Sequence, residues 1–102
     1  MYDFELVRPQ LEELCRGWGV LRLTAFGSSI RDDFTPSSDI DLIFAVEEDQ
    51  RFNLFHHVRL QEELQRIFGR PVDLLTERTV TNMRNPFRKK EILSNQRRIY
   101  GS

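Results

Sequence analysis

A single cysteine, Cys15, stands among the 102 residues of the chain. It has no partner for an intrachain disulfide, and a zinc site built on paired thiolates is excluded. With Leu11, Leu14 and Trp18 around it at helical spacing, Cys15 reads as a small packed hydrophobe. No apolar run approaches the roughly 20 residues that a membrane helix needs. The opening MYDFELVRPQ is acidic and interrupted by proline, unlike a signal peptide, so a soluble cytoplasmic protein is expected. An excess of either charge is also missing: 15 basic residues against 16 acidic ones give a formal charge of −1. Nucleic-acid binders usually carry a basic excess or a strongly basic face, and direct nucleic-acid binding is not expected here. The basic residues that do cluster, Arg84, Arg88, Lys89, Lys90, Arg97 and Arg98, read as solvated helix faces. Glycine and proline are scarce, at five and four residues, and 39% of the chain is apolar. Disordered and fibrous classes are thereby set aside.

What remains is a chain of ordinary composition and single-domain size, with no internal repeat or low-complexity linker. One domain over residues 1–102 is expected. Between Asp3 and Trp18, the apolar Val7, Leu11, Leu14 and Trp18 recur at steps of three and four, which predicts an amphipathic helix with Pro9 tolerable only near its first turn. Gly17 and Gly19 mark its stop. VLRLTAF, Val20 to Phe26, alternates as a strand does, and a short helical stretch opens at Gly27 toward Arg31. After the breaker-rich DDFTPSS, DIDLIFAV predicts a second strand, continuously apolar beyond Asp41 as a strand buried on both faces would be. A long helix from about Phe52 to Phe68 follows, then a short strand over Val72 to Leu75. Asn85 before Pro86 reads as an N-cap with proline in the first helical position, opening a helix to about Ser94. RRIYGS is left as a short strand or an extended tail. The acidic Glu47, Glu48 and Asp49 read as a loop. The predicted fold is α+β (α/β), a small mixed sheet with helices on one face.

Three features of this frame bear on chemistry. Gly27 and Ser28 sit where a strand turns into a helical stretch. Glycine lets backbone approach a ligand, the first amides of a helix are unpaired, and such a corner suits a phosphate; it is also an ordinary turn. Asp39 and Asp41, two apart on a strand, project from one face about 6.5 Å apart, with Ile40 pointing into the core. Two neighbouring carboxylates repel unless a cation lies between them. Oxygen ligands beside a phosphate-bearing substrate point to Mg²⁺ or Mn²⁺. The plain alternative is a solvent-facing strand edge. Asp73, bracketed by apolar residues in VDLL, joins the other two if its strand neighbours theirs, where it could serve metal binding and general-base catalysis.

Gly27-Ser28, then Asp39-Ile40-Asp41, then Asp73 in a later strand together resemble the DNA polymerase β-like nucleotidyltransferase superfamily. The likeness is greatest to its minimal nucleotidyltransferase (MNT) family. It runs over most of the chain, through GSSIR, SDIDL, PVDLL and NPFRKKEIL to RRIY. The resemblance implies that the Gly27-Ser28 backbone and hydroxyl hold the phosphates of a nucleoside triphosphate. It implies that Asp39 and Asp41 bind Mg²⁺, with Asp73 completing the carboxylate triad. An acceptor hydroxyl would attack the α-phosphate in line and pyrophosphate would leave. Arg31 falls where the family often carries arginine; a phosphate contact and a salt bridge to Asp32, Asp33 or Glu48 are both open. The family's small antitoxin members pair with a HEPN-domain RNase toxin and move AMP from ATP onto a toxin tyrosine. A chain too short for an acceptor domain suits such a partner.

Two other functions are open on the sequence: nucleotidyl transfer to a small molecule, with a homo-oligomer building the acceptor pocket, and a non-catalytic antitoxin acting by contact. His56 and His57 point about 100° apart on their helix and are expected to pack or face solvent, not to share a metal.

Overall fold

Four strands and four α-helices make up the computed structural model, which describes residues 1–47 and 52–101. The N-terminal segment divides where proline dictates. A 3₁₀ turn over Phe4–Val7 precedes α1 (Arg8–Trp18), which therefore carries Pro9 in its first turn. Proline has no amide to donate and clashes with a preceding helical turn, so the single helix expected from Asp3 begins instead at Arg8. Strand β1 (Val20–Phe26) ends in a single 3₁₀ turn, Gly27–Ile30, and β2 (Ile40–Val46) follows. Helix α2 (Leu54–Phe68) starts at a capping box: Asn53 Oδ1 accepts from the His56 amide at 3.0 Å, and His56 Nδ1 accepts from the Asn53 amide at 3.3 Å. Strand β3 (Val72–Thr76) runs directly into a short helix, α3 (Glu77–Thr81). Helix α4 (Pro86–Ser94) opens as Asn-Pro predicts, with Asn85 Oδ1 accepting from the amides of Phe87 and Arg88 at 3.0 and 3.2 Å. The C-terminal residues form β4 (Gln96–Tyr100).

The strand order is β3-β2-β1-β4. Strand β1 pairs antiparallel with β2 and β4, while β2 and β3 run parallel across the α2 crossover. The principal core lies between one sheet face and the two long helices. Leu23, Ala25, Ile40, Leu42, Phe44, Val72, Leu74 and Ile99 from the strands meet Leu11 and Cys15 of α1 and Leu60, Leu64 and Phe68 of α2. Burial in this apolar layer pushes the Cys15 thiol up to about 12, so the lone cysteine is an inert packing residue.

The opposite face carries a second and smaller core, in keeping with the unbroken apolar run of β2 beyond Asp41. Phe26 and Ile43 alternate with the first set along their strands, and they pack against Val80 of α3 and Ile92 of α4. The long helices do cover one face, but α3 and α4 partly cover the other. Helix α4 is held there by Ile92 and by Lys89 Nζ, which donates to the Thr81 carbonyl at 2.9 Å. A bidentate pair between Arg22 and Glu77, at 2.6 and 2.7 Å, ties β1 to the first residue of α3. Of the acidic run after β2, Glu47 is exposed; Glu48 and Asp49 lie outside the described residues.

Candidate active site

The carboxylate in VDLL and the one that closes Asp39-Ile40-Asp41 meet because their strands are neighbours. In the parallel β2–β3 ladder Asp41 is the register partner of Asp73, so their side chains leave the same face from backbones about 4.8 Å apart. Ile40, one residue back, is fully buried on the opposite face. The face shared by Asp41 and Asp73 is the one that bears α4, and the two aspartates line a cavity of about 300 Å³. Phe26, Gly27, Ser28 and Arg31 also line it, with Arg88, Glu91, Ile92 and Asn95 along the α4 side.

Asp39 stands slightly apart. The second strand begins at Ile40, leaving Asp39 exposed just ahead of it, outside the cavity lining. Its backbone approach is nonetheless fixed. The Ile40 amide donates to the Pro71 carbonyl at 3.0 Å. Arg70 Nη1 donates to the carbonyls of Thr35 and Ser38, each at 3.3 Å, and the guanidinium lies 4.8 Å from the centroid of the Phe34 ring. The loop between Arg31 and Asp39 is thus clamped to Arg70 and Pro71, the two residues that precede β3.

Burial of the half-buried Asp41 carboxyl, with the charges of Asp73 and then Asp39, pushes it up to about 6; Arg88 and Arg31 pull weakly the other way. Asp41 therefore lies within reach of the charges of both other acids. Among the described residues, however, no three His, Cys, Asp or Glu side chains form a ready-made metal cage. Mg²⁺ commonly binds through one or two carboxylates and takes its other oxygens from water and substrate phosphates. An Asp41–Asp73 pair with Asp39 beside it is a donor set of that kind.

Gly27 adopts φ +72°, and a Cβ built on it would run into Oδ2 of Asp41, with Cγ 3.2 Å away. The turn therefore packs directly against the carboxylate of β2. Only one of the two serines in the turn is structural. Ser29 is fully buried and its hydroxyl donates to the Phe26 carbonyl at 3.2 Å, whereas Ser28 is half-buried at the cavity wall.

Residues 7–99 match the family model described as the nucleotidyltransferase domain. The chain belongs to this nucleotidyltransferase family. A Methanocaldococcus jannaschii protein named as a candidate protein adenylyltransferase is 32% identical over 88 residues, spanning 86% of this chain and 85% of its own length. Another so named from the same organism is 37% identical over 76 residues, spanning 74% and 75%. A solved structure described as a candidate minimal nucleotidyltransferase superposes with a TM-score of 0.66 at 31% identity, over 93% of this chain and 94% of that one. A tri-AMPylated Shewanella oneidensis HEPN toxin in complex with MNT antitoxin gives a TM-score of 0.66 at 16% identity, over 98% of this chain and 74% of that one. At that identity the likeness is one of fold.

In this nucleotidyltransferase Arg31 lines the cavity and is also drawn into ion pairs, at 3.2 Å to Asp33 Oδ1 and 3.8 Å to Glu91 Oε1. The histidines are absorbed by structure: His56 closes the α2 cap, and His57 Nε2 donates to the Leu74 carbonyl at 2.8 Å. Sequence reasoning missed Arg88, Glu91 and Asn95 as wall residues. Their signal was the spacing of Arg88, Glu91 and Ile92, which puts the three on one side of a helix, with Asn95 at its C-terminal cap. The two serines give a direct test. Ser29→Ala is expected to lower stability by about 1 kcal/mol through a lost buried hydrogen bond. Ser28→Ala should leave the melting temperature alone and weaken nucleotide binding. Equal melting losses in the two variants would contradict the division.

Proposed function

We propose that this chain is a protein adenylyltransferase antitoxin that moves AMP from ATP onto a tyrosine of a HEPN-domain RNase toxin, using Mg²⁺ or Mn²⁺. The observation that carries the reading is the Asp41–Asp73 register pair, set against the Gly27-Ser28 turn in one cavity. Family membership and the names of the relatives support it. The partner assignment rests on the shared fold of the toxin-bound antitoxin.

Asp41 and Asp73, with Asp39 beside them, are the residues that would hold the cation. When bound, it neutralises charge on the phosphate oxygens during transfer. The chain's own groups have distinct tasks. Gly27, without a side chain, leaves space for phosphate oxygens close to the backbone. The Ser28 hydroxyl donates to one of them. Asp73, at the exposed end of the pair, accepts the proton of the incoming hydroxyl. As the acceptor oxygen bonds to the α-phosphorus, the bond to the bridging oxygen breaks. AMP passes to the acceptor and pyrophosphate leaves with the electron pair. Positioning supplies most of the acceleration in such a transfer.

The test is to incubate a candidate HEPN partner, for instance the product of the neighbouring gene, with this chain, ATP and Mg²⁺, and to measure intact mass. A gain of one or more AMP units that maps to tyrosine is expected. An unmodified partner that is still inhibited would show neutralisation by contact, and the catalytic reading would be lost.

A further inference from the structure

The cavity wall holds two guanidiniums, and they are not equivalent. Arg31 is already engaged by Asp33 and Glu91. Arg88 has no side-chain hydrogen bond or ion pair among the described residues, although it lines the cavity and its charge reaches Asp41. The helix that carries it is anchored on both sides of it. The Arg88 amide is bonded to the Asn85 cap at 3.2 Å, and one turn later Ile92 is buried against Phe26, Ile43 and Val80. Residues four apart share a helix face, so the anchor at Ile92 turns Arg88 toward the Asp41 side.

The remaining charges at the cavity are acidic: Asp41, Asp73 and Glu91. A polyphosphate entering there meets repulsion that a single bound divalent cation only partly offsets. Arg31 gives limited relief, because two carboxylates already share it. A guanidinium presents five N–H donors in a planar fork that matches phosphate oxygens two at a time. Without a side-chain partner among the described residues, it stands available to an anion in the cavity.

From this we infer that Arg88 is the phosphate-binding arginine of the site, contacting the triphosphate of the nucleotide directly, and that Arg31 plays the lesser part. The inference rests on the nucleotidyl-transfer reading and names the residue that grips the substrate. It also gives α4 a task beyond packing: the helix carries the cationic wall facing Asp41 and Asp73.

The test is titration calorimetry of the intact chain with AMP-PNP and, separately, with inorganic tripolyphosphate, each in Mg²⁺. Arg88→Gln is expected to weaken both at least about tenfold. Arg88→Lys should recover part of the loss, since it keeps the charge but not the fork. Lys90→Gln removes the same charge from the same helix outside the cavity lining and should bind within about twofold of the native chain. Unchanged melting temperatures without ligand are expected for all three, because neither side chain makes a bond among the described residues. Native-like affinity in Arg88→Gln, or a larger loss in Arg31→Gln than in Arg88→Gln, would overturn the assignment and leave nucleotidyl transfer standing. A native chain that binds neither probe would remove both.

Discussion

Asp41→Asn is expected to abolish nucleotidyl transfer and, at neutral pH without divalent cations, to make the folded protein more stable. The two effects share one cause. Asp41 is half-buried and faces Asp73 and Asp39, and its carboxyl is pushed from an ordinary 3.8 up to about 6. A displacement of that size disfavours the ionised form by about 3 kcal/mol. Water reaching the half-buried group reduces the effective cost to on the order of 1–2 kcal/mol. Asparagine keeps the shape and removes the charge. For a domain of this length, that gain raises the melting temperature by several degrees.

The sign with pH follows from proton binding. Between about 4 and 6 the folded chain holds the Asp41 proton more tightly than the unfolded chain does, so this group's contribution to stability falls as pH rises through that window and is flat above it. The native protein should lose stability relative to Asp41→Asn from pH 4 to pH 6, and the gap should then stay constant. Adding Mg²⁺ should close much of the gap, because a cation between the carboxylates stabilises the native chain alone. Melting curves at several pH values, with and without Mg²⁺, measure all of this. A variant no more stable than native at pH 7.5 would show that Asp41 ionises at little cost. Retained transfer would remove it from the metal site.

The parts of the fold most legible in sequence were those written by periodicity and capping. Strand β1, the Asn85-Pro86 start of α4 and the VDLL strand followed from local pattern, because each depends on residues next to one another in the chain. What the sequence withheld depends on contacts between distant segments. Helix α3 is five residues long, too short for a periodic signal, and exists because Thr76 caps it and Val80 finds the far face of the sheet. The unbroken apolar run around Ile43 pointed to cover on both faces of β2, but which segments supply that cover depends on contacts between distant parts of the chain. The adjacency of Asp41 and Asp73 depended on strand pairing, which the aspartate positions suggested and only the parallel register supplies. Arg88 was hidden for a related reason. In a run of basic residues on a polar helix, which one turns inward is decided by where Ile92 is anchored.

Gly27→Ala is expected to cost both stability and transfer, and Gly69→Ala is the variant that separates the two losses. Both glycines have left-handed backbone, φ +72° at Gly27 and +68° at Gly69, where a Cβ costs about 1 kcal/mol or more in strain. At Gly69 the added methyl meets nothing within 4 Å, whereas at Gly27 it strikes the Asp41 carboxylate. Gly69→Ala should therefore lose stability through strain alone and transfer AMP normally. Gly27→Ala bears the same strain and must also displace Oδ2 of Asp41, either rotating the carboxylate away from Asp73 or pushing the turn from β2. Misplacing a reacting group by about 1 Å costs roughly 100-fold in rate, so kcat should fall by at least that factor, and excess nucleotide should not restore it. Two outcomes would count against this: equal stability losses with transfer kept in both variants, or a defect in Gly27→Ala confined to KM. Either would mean that Gly27 only turns the chain, and that its close approach to Asp41 plays no part in the chemistry.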